Sequence, residues 1–319
     1  MTEAARAGRD RPARARDMLQ FLLSVVGVVI AATSSAGEAL RVSALTGPGL
    51  IPNALIVGRA PCLGTSWLLT EEAQLIEISS DGRSVGIHPV TGLTPEESVW
   101  GLGCLSDGSL WTLASARTVA RLDRSGRIQE RIGLKVPRVA LFGTGDRLLY
   151  QALPMTAGAL ALATSPPRQP ESVRAWPGLV ARAAGTQEQR LARNLANCGL
   201  GFERWMACWF PDDTRFSRSD GSASRTVELP ALRAAAFDQT APIWDIALSA
   251  GDRFWLLASS RGRQDDRRAG RRLFLMTEKT GTTVSIAVDP PARLIVAAGE
   301  FRCLLVTTAG SVAEVVVMR

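Results

Sequence analysis

SVWGLGCLSDGSLWTLASARTVARLDRSGRIQERIGL (Ser98–Leu134) is a run of short apolar segments separated by polar breaks and glycine-bearing turns. A second copy of the phrase is PIWDIALSAGDRFWLLASS (Pro242–Ser260). From Asn53 onward, segments of four to eight residues rich in Val, Ile, Leu and Trp alternate with SDG, SG and TG, which is the pattern of strands joined by tight hairpins. Sustained helical periodicity is hard to find; only QEQRLARNLAN (Gln187–Asn197) is ambiguous. A strand phrase repeated along a chain predicts radial blades of four strands, a β-propeller, because each blade alone leaves an apolar face uncovered.

The Trp of the second strand in each blade gives a register: Trp67, Trp111, Leu149, Trp205, Trp255 and Ile295. These positions lie about 46 residues apart on average, within the pitch of known repeats, so the chain has room for six blades. Eight residues before the last five anchors stand Gly103, Leu141, Asn197, Ala247 and Ala287, mostly small. Small side chains suit inner strands that converge on an axis. Turns between the third and fourth strands recur as SSDGR (Ser79–Arg83), DRSGR (Asp123–Arg127), RSDGS (Arg218–Ser222), TEKTG (Thr277–Gly281) and TTAGS (Thr307–Ser311). Glycine supplies the positive φ that such hairpins need. A strand at Ala39–Leu45 is expected to join the last blade and close the ring, removing exposed edges. The anchor tryptophans read as packing between facing sheets.

Residues 1–36 read as a targeting segment. Arg6, Arg9, Arg11, Arg14 and Arg16 precede an apolar run from Met18 to Ala32, followed by Ser34 and Ala36 at the positions a signal peptidase reads. The run is shorter than the roughly 20 apolar residues of a membrane span. A cleaved signal is expected, with an uncleaved N-terminal membrane anchor as the alternative. The remainder, 37–319, is expected to be a single propeller domain, periplasmic or extracellular, touching a membrane only through the first segment if that is retained.

The chain has a net charge of +7. Its excess is concentrated in RGRQDDRRAGRR (Arg261–Arg272), with six arginines against two aspartates. One basic loop is not the continuous field that nucleic-acid binding uses, so no nucleic-acid partner is expected. The five cysteines, Cys62, Cys104, Cys198, Cys208 and Cys303, leave at least one unpaired. They read either as buried free thiols or as disulfides Cys62–Cys104 or Cys198–Cys208, the latter open to an exported protein. No CxxC occurs, and one histidine offers no zinc-ligand spacing.

The phrase SLWTLASARTVARLDRSGRI (Ser109–Ile128), and more loosely RLFLMTEKTGTTV (Arg272–Val284), resembles blades of the six-bladed propellers that include NHL-repeat, gluconolactonase-like and virginiamycin B lyase-like proteins. The resemblance implies a fold far more than an activity. Gluconolactonase-like enzymes hold a divalent cation with acidic, Asn and Asp residues on inner strands. Here Asn53, Asn194 and Asp245 lack an accompanying Glu, and hard cations prefer several carboxylates, so neither metal nor cofactor is expected. The lyase-like branch depends on a catalytic histidine. The single His88 falls near an outer strand–loop junction. GLG (Gly101–Gly103), GTG (Gly143–Gly145) and GLG (Gly199–Gly201) lack the helix a dinucleotide site requires and read as turns or tight inner strands.

Propellers usually bind ligands on the face formed by the fourth-to-first and second-to-third strand loops. Eleven residues before the anchors, that mouth is expected to carry Trp100, Arg138, Asn194 and Trp244, with Asp245 following. The basic loop, with Arg267, Arg268, Arg271 and Arg272, is expected on the same face. These residues suit an anionic partner, an envelope glycan or an acidic protein surface. The leading expectation is therefore an exported, non-enzymatic binding module. The alternatives are a lactonase- or lyase-type enzyme using Arg138, Asn194 and Asp245, and a structural propeller in a larger assembly.

Overall fold

The computed structural model describes residues 32–33, 38–135, 137–144, 146–152, 162–165, 174–176, 197–202, 205–209, 215–220, 223–229, 243–250, 252–258, 270–278 and 283–318. All regular elements among them are strands. Two short ones, β1 (Ala32–Thr33) and β2 (Ala39–Ala44), come first. A four-stranded sheet follows in chain order: β3 (Ile56–Cys62), β4 (Thr65–Thr70), β5 (Gln74–Ser79) and β6 (Val85–Pro89). The second sheet holds β7 (Trp100–Cys104), β8 (Leu110–Ser115), β9 (Thr118–Leu122) and β10 (Ile128–Gly133). The third holds β11 (Arg138–Thr144), β12 (Arg147–Ala152), β13 (Leu162–Ser165) and β14 (Arg174–Trp176). In the fourth are β15 (Asn197–Cys198), β16 (Met206–Trp209), β17 (Arg215–Ser219) and β18 (Ser224–Glu228). The last strands are β19 (Ile243–Leu248), β20 (Arg253–Ala258), β21 (Gly270–Thr277), β22 (Thr283–Ala298), β23 (Arg302–Thr307) and β24 (Val312–Met318).

These six join β1 and β2 in one eight-stranded sheet, ordered β1-β2-β24-β23-β22-β21-β20-β19. Within it β22 serves two neighbours. Its first part pairs Thr283–Ala287 with β21, and residues from Ala292 onward pair with β23. The number of blades, six in the sequence reading, depends on dividing this sheet within β22. As expected, the N-terminal strand is antiparallel to the C-terminal one, from Ala39 opposite Met318 to Ala44 opposite Ala313. That pairing covers the edge of β24, which carries four valines and would otherwise invite association.

The inner strands approach so closely that only glycine fits at several points. A Cβ on Gly103 would sit 2.7 Å from the backbone nitrogen of Gly143, and one on Gly143 would collide with the backbone of Cys104. Gly103 and Gly143 thus lie on tight inner strands, one of the two readings of the glycine pairs. Gly103 lies opposite Trp111, and Ala247 opposite Trp255, so a small inner residue faces each large anchor. Trp67, Trp111 and Trp255 are buried in separate clusters between sheets.

The hairpins owe their shape to side chains as well as to glycine. Asp123 Oδ1 accepts hydrogen bonds from the backbone nitrogens of Ser125 and Arg127 at 2.9 and 3.0 Å, while Gly126 takes a φ of +85°. Hydrogen bonding to Ser125, above all, holds the Asp123 carboxyl below its usual range. The Asp of the repeated phrase is therefore a turn former.

Three points of the register need correction. Ile295 belongs to the inner half of β22, so the second strand of the last unit is β23 and VSIAVD lies on the half paired to β21. TTAGS consequently joins β23 to β24, the second and third strands of its unit. Trp205 is half-buried at an isolated bridge, with the Arg218 guanidinium 4.6 Å from its ring centre; Trp209 fills the core position instead. The first error arose because a continuous 16-residue strand has no turn residues to mark where one unit ends.

Candidate functional site

A bulge recurs at the start of the inner strands. Register shifts fall between Ile56 and Gly58, Trp100 and Leu102, Arg138 and Ala140, Ile243 and Asp245, and Ala292 and Leu294. Such an extra residue bends the strand and re-aims the side chains beside it. It sets Trp100, Arg138 and Trp244 beside a bulge at the start of their strands. The sequence showed the positions, and the bulges behind them carry no pattern of their own.

Asp245 is committed to a clasp across the axis. Its two carboxylate oxygens accept from both terminal nitrogens of Arg59 on β3, and from the backbone nitrogens of Ile246 and Ile295 at 2.8 Å each. Arg59 also donates to the carbonyl of Ile295 at 2.6 Å. Three inner strands, β3, β19 and β22, meet in this one ion pair. With the Asp245 residue 3% exposed, its carboxylate is fully engaged.

The other mouth residues divide. Trp244 is half-buried and donates its indole N–H to the carbonyl of Arg293 at 2.7 Å. Arg293 reaches the carbonyls of Pro52, at 2.7 Å, and Ala54. Burial lowers the pKa of its guanidinium, as it does that of Arg138. Arg138 lies over the Tyr150 ring, 5.7 Å from its centre, and half-buried Trp100 packs on the cluster that contains Tyr150. Arg271 and Arg272 are half-buried at the start of β21, where Arg272 Nε donates to Ser285 Oγ at 3.1 Å. Strand direction places the starts of β11 and β21 at the same end of the sheets. Asn194, Arg267 and Arg268 lie outside the described residues.

Sequence reasoning missed a cavity of about 290 Å³ at the other end of the inner strands. Arg59 borders it, with Leu63, Leu105, Phe142, Gly199 and Met206 among its lining residues. Leu63, at a φ of +45° in the β3–β4 turn, is 65% exposed at its edge. The one signal that pointed there was the Cys62–Cys104 pairing. Both cysteines line the cavity, and their disulfide joins the ends of β3 and β7. A second disulfide links Cys198 to Cys208, which face each other across β15 and β16. The reading of these four as free thiols is corrected: inner strands of adjacent sheets, and paired strands of one sheet, bring them within bonding reach.

Cys303 is the free, buried thiol. Burial pushes its pKa well up, and the nearby Asp245 carboxylate adds to the effect. A thiol so held is a poor nucleophile. The folded protein is expected to show no thiol reactive with an aromatic disulfide reagent, and one per chain after denaturation without reductant. A full equivalent in the native state would contradict the burial.

Among the described residues no group of three or more His, Cys, Asp or Glu is placed to hold a metal ion. His88 stands on the outer strand β6, 3.8 Å from Glu77 and with its ring 6.2 Å from that of Trp67, away from the axis.

No family model matches the sequence, and no curated protein does. Solved structures do. Virginiamycin B lyase from Staphylococcus aureus shares 15% identity at a TM-score of 0.53, covering 88% of this chain and 100% of its own. A gluconolactonase from Xanthomonas campestris shares 12% at 0.54, covering 91% and 95%. The PQQ-bound aldose sugar dehydrogenase from Streptomyces coelicolor shares 15% at 0.53, covering 90% and 100%. At such identities the likeness speaks to architecture alone. Together with the antiparallel sheets and their closely approaching inner strands, it shows that this chain has the β-propeller fold.

Proposed function

We propose that the chain is an exported propeller acting as a binding module, whose channel mouth takes an anionic envelope glycan or an acidic protein surface. The observation that carries this reading is the contrast between axis and mouth. The axial carboxylate Asp245 is taken up by Arg59 and two backbone N–H groups. Arg138, Arg271 and Arg272 stand at the end of the sheets where β11 and β21 begin, and in the sequence Arg267 and Arg268 come just before β21. A cationic rim steers anionic partners and supplies guanidinium forks for carboxylates and phosphates. The two disulfides support an oxidising compartment and hence export.

Replacing Arg267, Arg268, Arg271 and Arg272 with Ser is expected to weaken retention on an immobilised anionic envelope glycan by at least about tenfold at low salt. Unchanged retention would sink the proposal. A lactonase- or lyase-type enzyme using Arg138, Asn194 and Asp245 is the second reading, favoured by the names of the solved neighbours. It requires the Asp245 carboxylate to be released from Arg59.

A further inference from the structure

The cavity of about 290 Å³ at the far end of the inner strands has a strained turn on its rim. β3 ends at Cys62 and β4 begins at Thr65, so the hairpin consists of Leu63 and Gly64 alone. Both take a positive φ, +45° and +82°. Asn-Gly is the usual pair in such a turn, because a bulky side chain strains the backbone in the left-handed region. Leu63 nevertheless holds the first place and is 65% exposed. Its side chain lies against Gly108 in the β7–β8 turn, where an added Cβ would stand 2.5 Å from the Leu63 Cδ1. Neither backbone ease nor burial accounts for a leucine here. A backbone outlier that holds an exposed apolar side chain at the edge of a cavity points to a ligand that covers it.

The lining fixes the class of that ligand. Leu63, Leu105, Phe142, Leu200 and Met206 supply apolar and aromatic surface. Arg59 is the single ionisable side chain among the described lining residues, and Asp245 already balances its charge. A charged ligand would therefore leave water without a counter-ion. Of the five N–H donors of a guanidinium, Arg59 gives both on Nη1 and one on Nη2 to Asp245 and the Ile295 carbonyl. That leaves the Nε hydrogen and the second on Nη2 for an acceptor in the cavity. The volume is at the small end for ligand pockets, which run from about 300 Å³ upward, so it suits one or two rings. We propose that this cavity binds an uncharged small molecule of up to two fused rings, with its apolar face under Leu63 and a hydroxyl or carbonyl oxygen toward Arg59. The site lies at the opposite end of the inner strands from the arginines of the proposed binding face, and it stands independently of that reading.

The test is titration of the purified full chain, carrying carbon-13 at its methionine methyl groups, with 2-naphthol at neutral pH, where a phenolic hydroxyl is uncharged. The control is 2-naphthoate, the same rings with a charge. The Met206 methyl signal, assigned by its loss in Met206→Leu, is expected to shift saturably with 2-naphthol. The melting midpoint is expected to rise by about 2–5 °C well above the dissociation constant. Binding of 2-naphthoate is expected to be at least about tenfold weaker. Ser106→Trp, at an exposed lining position, is expected to melt with the parent and to weaken 2-naphthol at least about tenfold by filling the entrance. Leu63→Asn puts the residue suited to the turn in place of the apolar one. It is expected to melt no lower than the parent and to weaken binding about fivefold. Three results overturn the site: no saturable shift of Met206, 2-naphthoate binding as tightly as 2-naphthol, or Leu63→Asn melting lower while binding like the parent. The last would make Leu63 a packing residue. The variant with Arg267, Arg268, Arg271 and Arg272 replaced by Ser is expected to keep the full response to 2-naphthol, so failure of glycan retention and failure of this site are read separately.

Discussion

Arg59→Met is expected to lower stability by roughly 3–5 kcal/mol, the range for breaking a buried ion pair from one side. In a chain of this size that corresponds to a fall in the melting midpoint of about 10 °C. The Asp245 side chain is 5% exposed, and without Arg59 its carboxylate keeps only the N–H groups of Ile246 and Ile295. Asp245→Asn is expected to cost less, toward the lower end of that range. Arg59 is 15% exposed at its side chain and borders the axial cavity, so a stranded guanidinium draws water that a stranded carboxylate cannot reach. The double variant Arg59→Met/Asp245→Asn is expected to lose less than the sum of the two single losses, because it removes both charges and leaves none buried alone. Urea denaturation of the four proteins measures the cycle. Single losses below about 1 kcal/mol would show that the pair is loosely held, freeing Asp245 for chemistry and favouring the enzymatic reading over the binding module.

Much of this architecture was legible because it rests on local rules. Turns built on Asp, Ser and Gly, alternating strands and small inner residues opposite large anchors are each written within a few residues of one another. Gly103 against Trp111 and Ala247 against Trp255 are examples. Closure by β2 was legible too, since an unpaired strand at one terminus and a valine-rich edge at the other complete each other. The clasp was not. Arg59 and Asp245 are 186 residues apart and belong to no shared motif. Asp245 alone reads as an available carboxylate, and only the arrangement of inner strands around the axis brings a counter-ion to it. The same holds for the cavity, whose lining comes from four different turns and strand ends. Arg138 falls between these cases. Its place at the start of β11 follows from spacing, but its contact with the face of Tyr150 is a property of the packed seam.

Removing the Cys62–Cys104 bridge, as Cys62→Ser/Cys104→Ser, is expected to cost about 4 kcal/mol on the loop-entropy argument. The bridge spans 42 residues, so the unfolded chain gains much freedom when it is cut. Cys198→Ser/Cys208→Ser spans only 10 residues and is expected to cost about 3 kcal/mol. Two packing effects work on this difference in the same sense. Cys62–Cys104 ties the inner strands of neighbouring sheets beside the cavity, where little else fills the space, so its loss also loosens native packing. Cys198 and Cys208 already sit in register across a ladder, so hydrogen bonds hold their strands together after the bridge is gone. Both effects enlarge the gap beyond what loop length gives. Urea midpoints of the two double variants, with the parent in and out of reductant, decide the matter. A parent unmoved by reductant would show that neither bridge constrains the chain. A larger loss for Cys198→Ser/Cys208→Ser would show that the short β15–β16 ladder, and not the staple between β3 and β7, is the point where the propeller depends on oxidation.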